Sequence, residues 1–239
     1  MKPKLEIFKS KEELAQEFAN LLLKLCQQKD QVNIALSGGN TPKAIFDVLA
    51  LEYRAIIQWE KIRLFWVDER CVTPDDSDSN YGMTRDHLLE KVPISSTSVF
   101  RIPAEKDPII AAHDYSTLLR SELPLKNGLP LLDLTVLGMG DDGHTASIFP
   151  HEMYLWNSHN LCEIATHPQS GQKRITLTGS TINNSAKIIF LVTGNSKAKI
   201  AAEIITKTGN YLKYPASLVK KSKSLWYMDQ EAAQALTEH

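Results

Sequence analysis

Short β-rich apolar runs alternate with amphipathic stretches along nearly the whole chain, and this alternation restricts the fold more than any other feature. It is the pattern of stacked βαβ units on a mostly parallel sheet. Leu14, Phe18, Leu21, Leu22 and Leu25 recur at helical spacing, which predicts a long helix over residues 11–29. Further helices are predicted over residues 42–50, 81–89, 108–123, 196–206 and 230–236. Strands are predicted over residues 32–36, 62–67, 99–102, 131–137, 174–178, 187–192 and 224–228. No repeat, low-complexity tract or long linker interrupts the series, so one domain over residues 1–239 is expected. The expected class is α/β: a doubly wound, mostly parallel, Rossmann-like sheet with helices on both faces.

Charge and cysteine usage narrow the class of function. Lys and Arg number 27 against 28 Asp and Glu, so no strong positive field draws in nucleic acid or an anionic membrane. Lys220, Lys221 and Lys223 cluster before a predicted strand and read as a solvated turn. Cys26, Cys71 and Cys162 lie far apart, an odd and sparse set that fits a reducing compartment. The first residues, MKPKLEIFKSKEELAQEF, are charged throughout and lack the apolar core of a signal peptide. No apolar run is long enough to span a bilayer. A cytoplasmic monomer with a small-molecule ligand is expected, with no nucleic-acid or membrane partner.

The polar, Gly-rich segments all follow predicted strands, and the carboxyl edge of an open α/β sheet is where ligands bind. In Ser37-Gly38-Gly39-Asn40-Thr41-Pro42 the glycine pair permits a tight turn that aims free N–H groups, and a helix N-terminus, at one point. Phosphate suits such a point, although Gly-Gly turns also serve as plain connectors. Thr193-Gly194-Asn195-Ser196-Lys197 repeats the arrangement, with Lys197 in the first turn of a predicted helix. A cation there opposes the helix dipole unless an anion lies between them, though a solvent-pointing lysine is also common. Asp68 and Arg70 stand where another strand ends. Arg70 can grip a phosphate with its planar fork and Asp68 can orient it or meet a sugar hydroxyl, or the two form a local ion pair.

The strongest segment is Gly138-Met139-Gly140-Asp141-Asp142-Gly143-His144-Thr145-Ala146-Ser147. Three glycines bend the backbone, and a histidine follows a carboxylate by two residues. An imidazole is the natural general base at neutral pH, and Asp142 can orient it and stabilise its charged form. Other chemistries lack their patterns. His144, His151, His159 and His167 show no HExxH or paired metal spacing, and no GxSxG nucleophile elbow occurs. Gly138, Gly140 and Gly143 match a dinucleotide fingerprint in spacing, but past mid-chain and without the following strand-end acid. Neither a metal nor a cofactor is expected.

Five segments, in order, resemble those of the 6-phosphogluconolactonase family: SGGNTP at 37–42, WVDERCV with SNYG at 66–72 and 79–82, LGMGDDGHTASIFP at 137–150, KRITLT at 173–178 and LVTGNSKA at 191–198. The third is highly specific. The resemblance implies hydrolysis of 6-phosphoglucono-δ-lactone to 6-phosphogluconate in the oxidative pentose phosphate pathway, with no required metal or cofactor. It implies a fold related to glucosamine-6-phosphate deaminase and ribose-5-phosphate isomerase. It also implies that His144 is the base with Asp142 as partner, and that Asp68, Arg70, Arg174 and Lys197 surround the sugar and phosphate. Two positions depart from the family pattern: Asn40 stands where many members have Ser, and Pro168-Gln169-Ser170-Gly171-Gln172 replaces a proline-rich run.

The sequence leaves two rival readings open. The deaminases share the GxGxDGHxA framework but continue FNEP, with a glutamate where this chain has Phe149 and a tyrosine where it has Arg70. A sugar-phosphate sensor would bind without chemistry, yet no helix-turn-helix or basic face accompanies the domain, and a histidine at the pocket would lack a purpose.

Overall fold

The computed structural model describes residues 3–236. The chain opens with strand β1 (Lys4–Phe8) and helix α1 (Lys11–Gln28). Ser10 starts α1 by accepting the Glu13 N–H at 3.2 Å, while the Glu13 carboxylate reaches back to the Lys9 N–H at 2.9 Å. That exchange satisfies orphan donors, and Glu12 and Glu13 complement the helix dipole. The leucine and phenylalanine stripe of α1 is buried.

Next come β2 (Val32–Leu36), α2 (Asn40–Glu52), β3 (Ile62–Trp66), β4 (Asp68–Arg70), α3 (Asn80–Thr84) and α4 (Pro108–Glu122). A two-residue hairpin, β5 (Leu125–Lys126) and β6 (Leu129–Pro130), leads into β7 (Leu134–Leu137). The remainder is β8 (Cys162–Thr166), β9 (Lys173–Leu177), α5 (Gly179–Asn184), β10 (Lys187–Val192), α6 (Ala198–Thr206), β11 (Ser224–Asp229) and α7 (Gln230–Ala233).

Six strands form one parallel sheet in the order β1-β11-β10-β7-β2-β3. Every residue of β2 and β7 is buried, as are the last five of β10, which is what a sheet covered on both faces requires. The winding reverses between β2 and β7. After β2 the chain moves outward to β3, whereas after β7 it moves the opposite way through β10 to β11. The loops leaving β2 and β7 therefore diverge and open a crevice at the carboxyl edge, the usual ligand position in such sheets.

Beside this layer, β4, β9 and β8 make a small antiparallel sheet in that order. β4 follows β3 after one residue, Val67, so the chain passes directly from one sheet to the other. The expected strand at 174–178 belongs here rather than to the parallel sheet.

Several expectations are corrected. Residues 99–102 form no strand: a single bridge joins Val99 to Leu64, and Pro103 with the Ala104 N–H turned onto Ile102 ends the pairing. The helix at 81–89 begins one residue earlier as α3 and widens into a π-helical turn over Arg85–Leu89. The closing helix tightens to a 3₁₀ turn after Ala233. Lys223 is only partly exposed: its ammonium donates to the carbonyls of Asn183 and Ser185 at 2.9 and 2.8 Å, satisfying the end of α5. Strands β1, β4 and β8 add elements that the sequence pattern did not reveal. The three cysteines are free, and burial pushes the Cys162 thiol up to about 12 and Cys71 up to about 11, so both stay protonated.

Candidate active site

The crevice is a cleft of about 460 Å³. Its floor is the glycine turn after β2. Gly39 has φ 107°, a left-handed conformation that glycine alone adopts cheaply, and it turns the chain abruptly into α2. No side chain caps α2 and no acidic residue occupies its first turn, so the N-terminal amides face the cleft with their partial positive charge. Ser37, Gly38, Gly39, Asn40 and Thr41 all line it.

The second glycine turn, after β10, meets the first across the short end of β7. Thr41 Oγ1 lies 2.7 Å from Thr193 Oγ1 and ties the two loops together. Their amides are not equivalent, because the Gly194 N–H is already bound by the Asp229 carboxylate at 3.0 Å. Lys197 also lines the cleft, with its ammonium 2.6 Å from Asp141. An anion does therefore accompany this cation, and the protein itself supplies one.

The loop after β7 is folded tightly on itself. Gly140 N–H donates to the His144 carbonyl at 2.9 Å, and Gly143, at φ 80°, donates to the Gly140 carbonyl at 3.0 Å. A Cβ at Gly140 would stand 2.0 Å from His144 Nδ1, so only glycine lets the ring lie there. Ala146 takes φ 50°, a strained conformation for a residue with a side chain. Thr145 Oγ1 donates to the Gly138 carbonyl at 2.9 Å and helps to hold that turn.

His144 Nδ1 is 2.6 Å from Asp142 Oδ1, which also accepts the His144 backbone N–H at 3.0 Å. Burial alone would raise the Asp142 carboxyl, but the hydrogen bond and charge of His144 hold it down at about 2. An ionised carboxylate only accepts, so Nδ1 carries the proton and Nε2 is the basic nitrogen. His144 lines the cleft, whereas Asp142 does not and stands behind it.

Asp68 and Arg70 do not pair with each other. Asp68 is buried and accepts the Ser147 hydroxyl at 2.6 Å, which binds the histidine loop to the small sheet. Arg70 lies directly opposite Arg174 in the β4–β9 register, and both enter the cleft. Arg174 sits 5.5 Å over the ring of Phe149, against which His144 also packs at 4.8 Å. Burial, and then the nearby Arg70 charge, pull the Arg174 guanidinium below its ordinary value. Four buried side-chain polar atoms have no hydrogen-bond partner among the described residues: Ser37 Oγ, Trp66 Nε1, Arg70 Nε and Arg174 Nε. Three of those four residues line this cleft. Unpartnered buried donors are costly, and two adjoining cations more so, unless an anion joins them.

Every expected site residue thus lies in or directly behind one cleft. The cleft also gathers Asn80, Lys11 and Asp141, with Ser147 tied to Asp68 beside it, residues to which the sequence assigns no role. Asn80 donates to the Asp68 carbonyl at 3.0 Å and packs its amide on Gly38; its signal was the SNYG segment. Lys11 lines the cleft from the start of α1, and nothing in its local sequence marks it. The departing segment after His167 closes as a turn, with Gly171 at φ 69° and the His167 N–H on the Gln172 carbonyl at 3.0 Å. Among the described residues no group of three or more His, Cys, Asp or Glu is arranged to hold a metal ion, and no helix is long and apolar enough to cross a membrane.

A family model described as glucosamine-6-phosphate isomerases/6-phosphogluconolactonase matches residues 9–227. A 6-phosphogluconolactonase of Treponema pallidum is 44% identical over 193 residues, covering 81% of this chain and 80% of the relative. One from Haemophilus influenzae is 39% identical over 228 residues, covering 94% of each. Among solved structures, that of the devB protein superimposes with a TM-score of 0.92 at 37% identity, over 97% of this chain and 98% of the other.

Proposed function

Because the chain belongs to the glucosamine-6-phosphate isomerase/6-phosphogluconolactonase family, we propose that it hydrolyses 6-phospho-D-glucono-1,5-lactone to 6-phospho-D-gluconate. The observation that carries the reading is the trio of donors on Ser37, Arg70 and Arg174 that are unpartnered among the described residues, around a histidine in the cleft whose Nδ1 is held by Asp142. The amides of residues 38–41 and Lys197 hold the phosphate. Remote binding energy of this kind positions the reacting carbonyl. His144 Nε2 takes a proton from water as the water oxygen bonds to the lactone carbonyl carbon. The carbonyl oxygen becomes an oxyanion, stabilised by the Arg70 and Arg174 guanidinium groups. Its collapse breaks the ring C–O bond, and the imidazolium returns the proton to the departing ring oxygen. Asp142 stabilises that imidazolium without itself taking the proton.

Phe149 favours this reading over deamination. It is fully buried against His144 and can neither take up nor deliver a proton, which leaves a ring-opening relay incomplete. Three free thiols support a cytoplasmic setting. The test is acid release in a pH-stat from fresh 6-phosphogluconolactone, above the spontaneous rate, beside glucosamine 6-phosphate and unphosphorylated gluconolactone. Fast acid release from the phospholactone, a far lower kcat/KM for gluconolactone and no ammonia are expected. Comparable ammonia release would replace this reading with the deaminase.

A further inference from the structure

Lys197 stands between the helix it precedes and a carboxylate on the histidine loop. Asp141 Oδ1 accepts from the Lys197 ammonium at 2.6 Å and from the Ser196 hydroxyl at 3.0 Å. Asp141 and Lys197 both line the cleft, yet they come from loops that follow different strands, β7 and β10. The lysine side chain is 22% exposed and the aspartate 68%. The cation is therefore the more enclosed partner, and its acidic companion sits on the open rim. A 3₁₀ turn over Asn195–Lys197 runs straight into α6, so Lys197 lies in the first turn of a continuous helical segment, where the positive helix end adds to its charge.

We propose that Asp141 sets the affinity of the cleft for the phosphoryl group, by competing with it for Lys197. The inference rests on the reading that Lys197 belongs to the phosphate site. Without substrate, Asp141 offsets the unfavourable placement of a lysine at a helix N-terminus. The pair is exposed enough that water and salt screen it, so it adds little stability and breaks readily. A phosphate monoester brings close to two negative charges near neutral pH and three strong acceptors. It also gains the amides of residues 38–41, which the Asp141 carboxylate does not engage. The dianion therefore displaces Asp141 from the ammonium, and Asp141 turns to water on the rim. Its remaining charge repels the bound phosphate, so the residue weakens substrate and product alike and eases product release. The Asp141 carboxyl is held below its ordinary value chiefly by the hydrogen bond from Lys197, as a true ion pair requires.

The test is calorimetric binding of 6-phosphogluconate to the whole protein in four forms: wild type, Asp141→Asn, Lys197→Met and the double variant. Asp141→Asn should tighten binding by about threefold to fivefold, the size of a released surface ion pair. Its KM for the phospholactone should fall with no rise in kcat. Lys197→Met should weaken binding by about tenfold or more, as loss of a charge-assisted hydrogen bond does. In the Lys197→Met background the Asp141→Asn gain should shrink below about twofold, since only a screened charge is then removed. Unchanged or weaker binding in Asp141→Asn would overturn the proposal, as would an equal gain in both backgrounds. If Lys197→Met binds as wild type, the phosphate-site reading of Lys197 falls and this proposal with it. If Lys197→Met weakens binding but Asp141→Asn does not tighten it, only the competition is refuted.

Discussion

The six-stranded parallel sheet brings backbone amides and an imidazole to the cleft, whereas the small antiparallel sheet brings two guanidinium groups. The first contribution comes from loops that leave strand ends, where glycines expose the backbone and bend it around the ligand. The second comes from side chains within paired strands, where the register sets Arg70 opposite Arg174. A loop can shape a cradle and deliver one base. A hydrogen-bonded ladder instead forces two like charges to stay close, which no flexible loop would tolerate. The Ser147–Asp68 hydrogen bond joins the two systems, so base and cations are held in one frame. Preorganised charge of this kind is often the largest catalytic contribution, because the site does not reorganise during reaction.

The sharpest way to separate the two contributions is to remove each in turn. His144→Ala should lower kcat by about 10² to 10⁴-fold while 6-phosphogluconate still binds. Wild-type-like turnover would take the parallel-sheet loop out of the chemistry altogether. Arg174→Ala should lower kcat by about 10² to 10³-fold, the loss typical of a missing oxyanion donor. A rise in KM with kcat preserved would instead make the antiparallel sheet a ground-state binding element. Steady-state kinetics distinguish the two outcomes.

Gly140→Ala probes the loop without deleting any functional group. The new methyl would overlap the His144 ring, which must move, and displacement of a reacting group by about an ångström costs about 10²-fold in rate. Activity close to wild type would show that the ring does not act from its present position. The smallest effect concerns acid. Asp142 has a depressed pKa, so the stability it contributes is complete above the ordinary aspartate value near 4 and is lost as pH falls through about 2. The Tm difference between wild type and Asp142→Asn should therefore narrow on acidification between about pH 5 and 2. A constant difference over that window would mean the His144 pairing does not persist in solution.

Much of this is legible in the sequence. Alternating apolar runs located the buried strands β2, β7 and β10, because a strand covered on both faces must be apolar throughout. β1 leaves little trace in the sequence because an edge strand needs only partial burial, and KLEIF mixes charge with apolar side chains. β4 and β8 leave no periodic signal, because DER is charged throughout and CEIAT is a short run of mixed polarity. Residues 99–102 misled in the opposite sense, since β-favouring side chains there found only one backbone partner.

The same division runs through the site. The sequence alone determined which residue types were present and on which edge they would emerge. A glycine turn before a helix, a histidine two residues after an acid, Arg70 just past a strand end and Arg174 in a short strand-like run are local facts. Local facts survive any arrangement of the sheet. The tertiary structure decided which loops meet. Strand order put the winding reversal between β2 and β7, so Ser37–Thr41 amides and His144 face one crevice, and Thr41 touches Thr193 from two strands away. Only the β4–β9 register made Arg70 and Arg174 neighbours, and only packing set Phe149 beneath both Arg174 and His144. Apart from the local Phe149–His144 pair, such contacts join residues about two dozen to more than a hundred positions apart. Long-range burial selects them, and short-range spacing carries no trace of it.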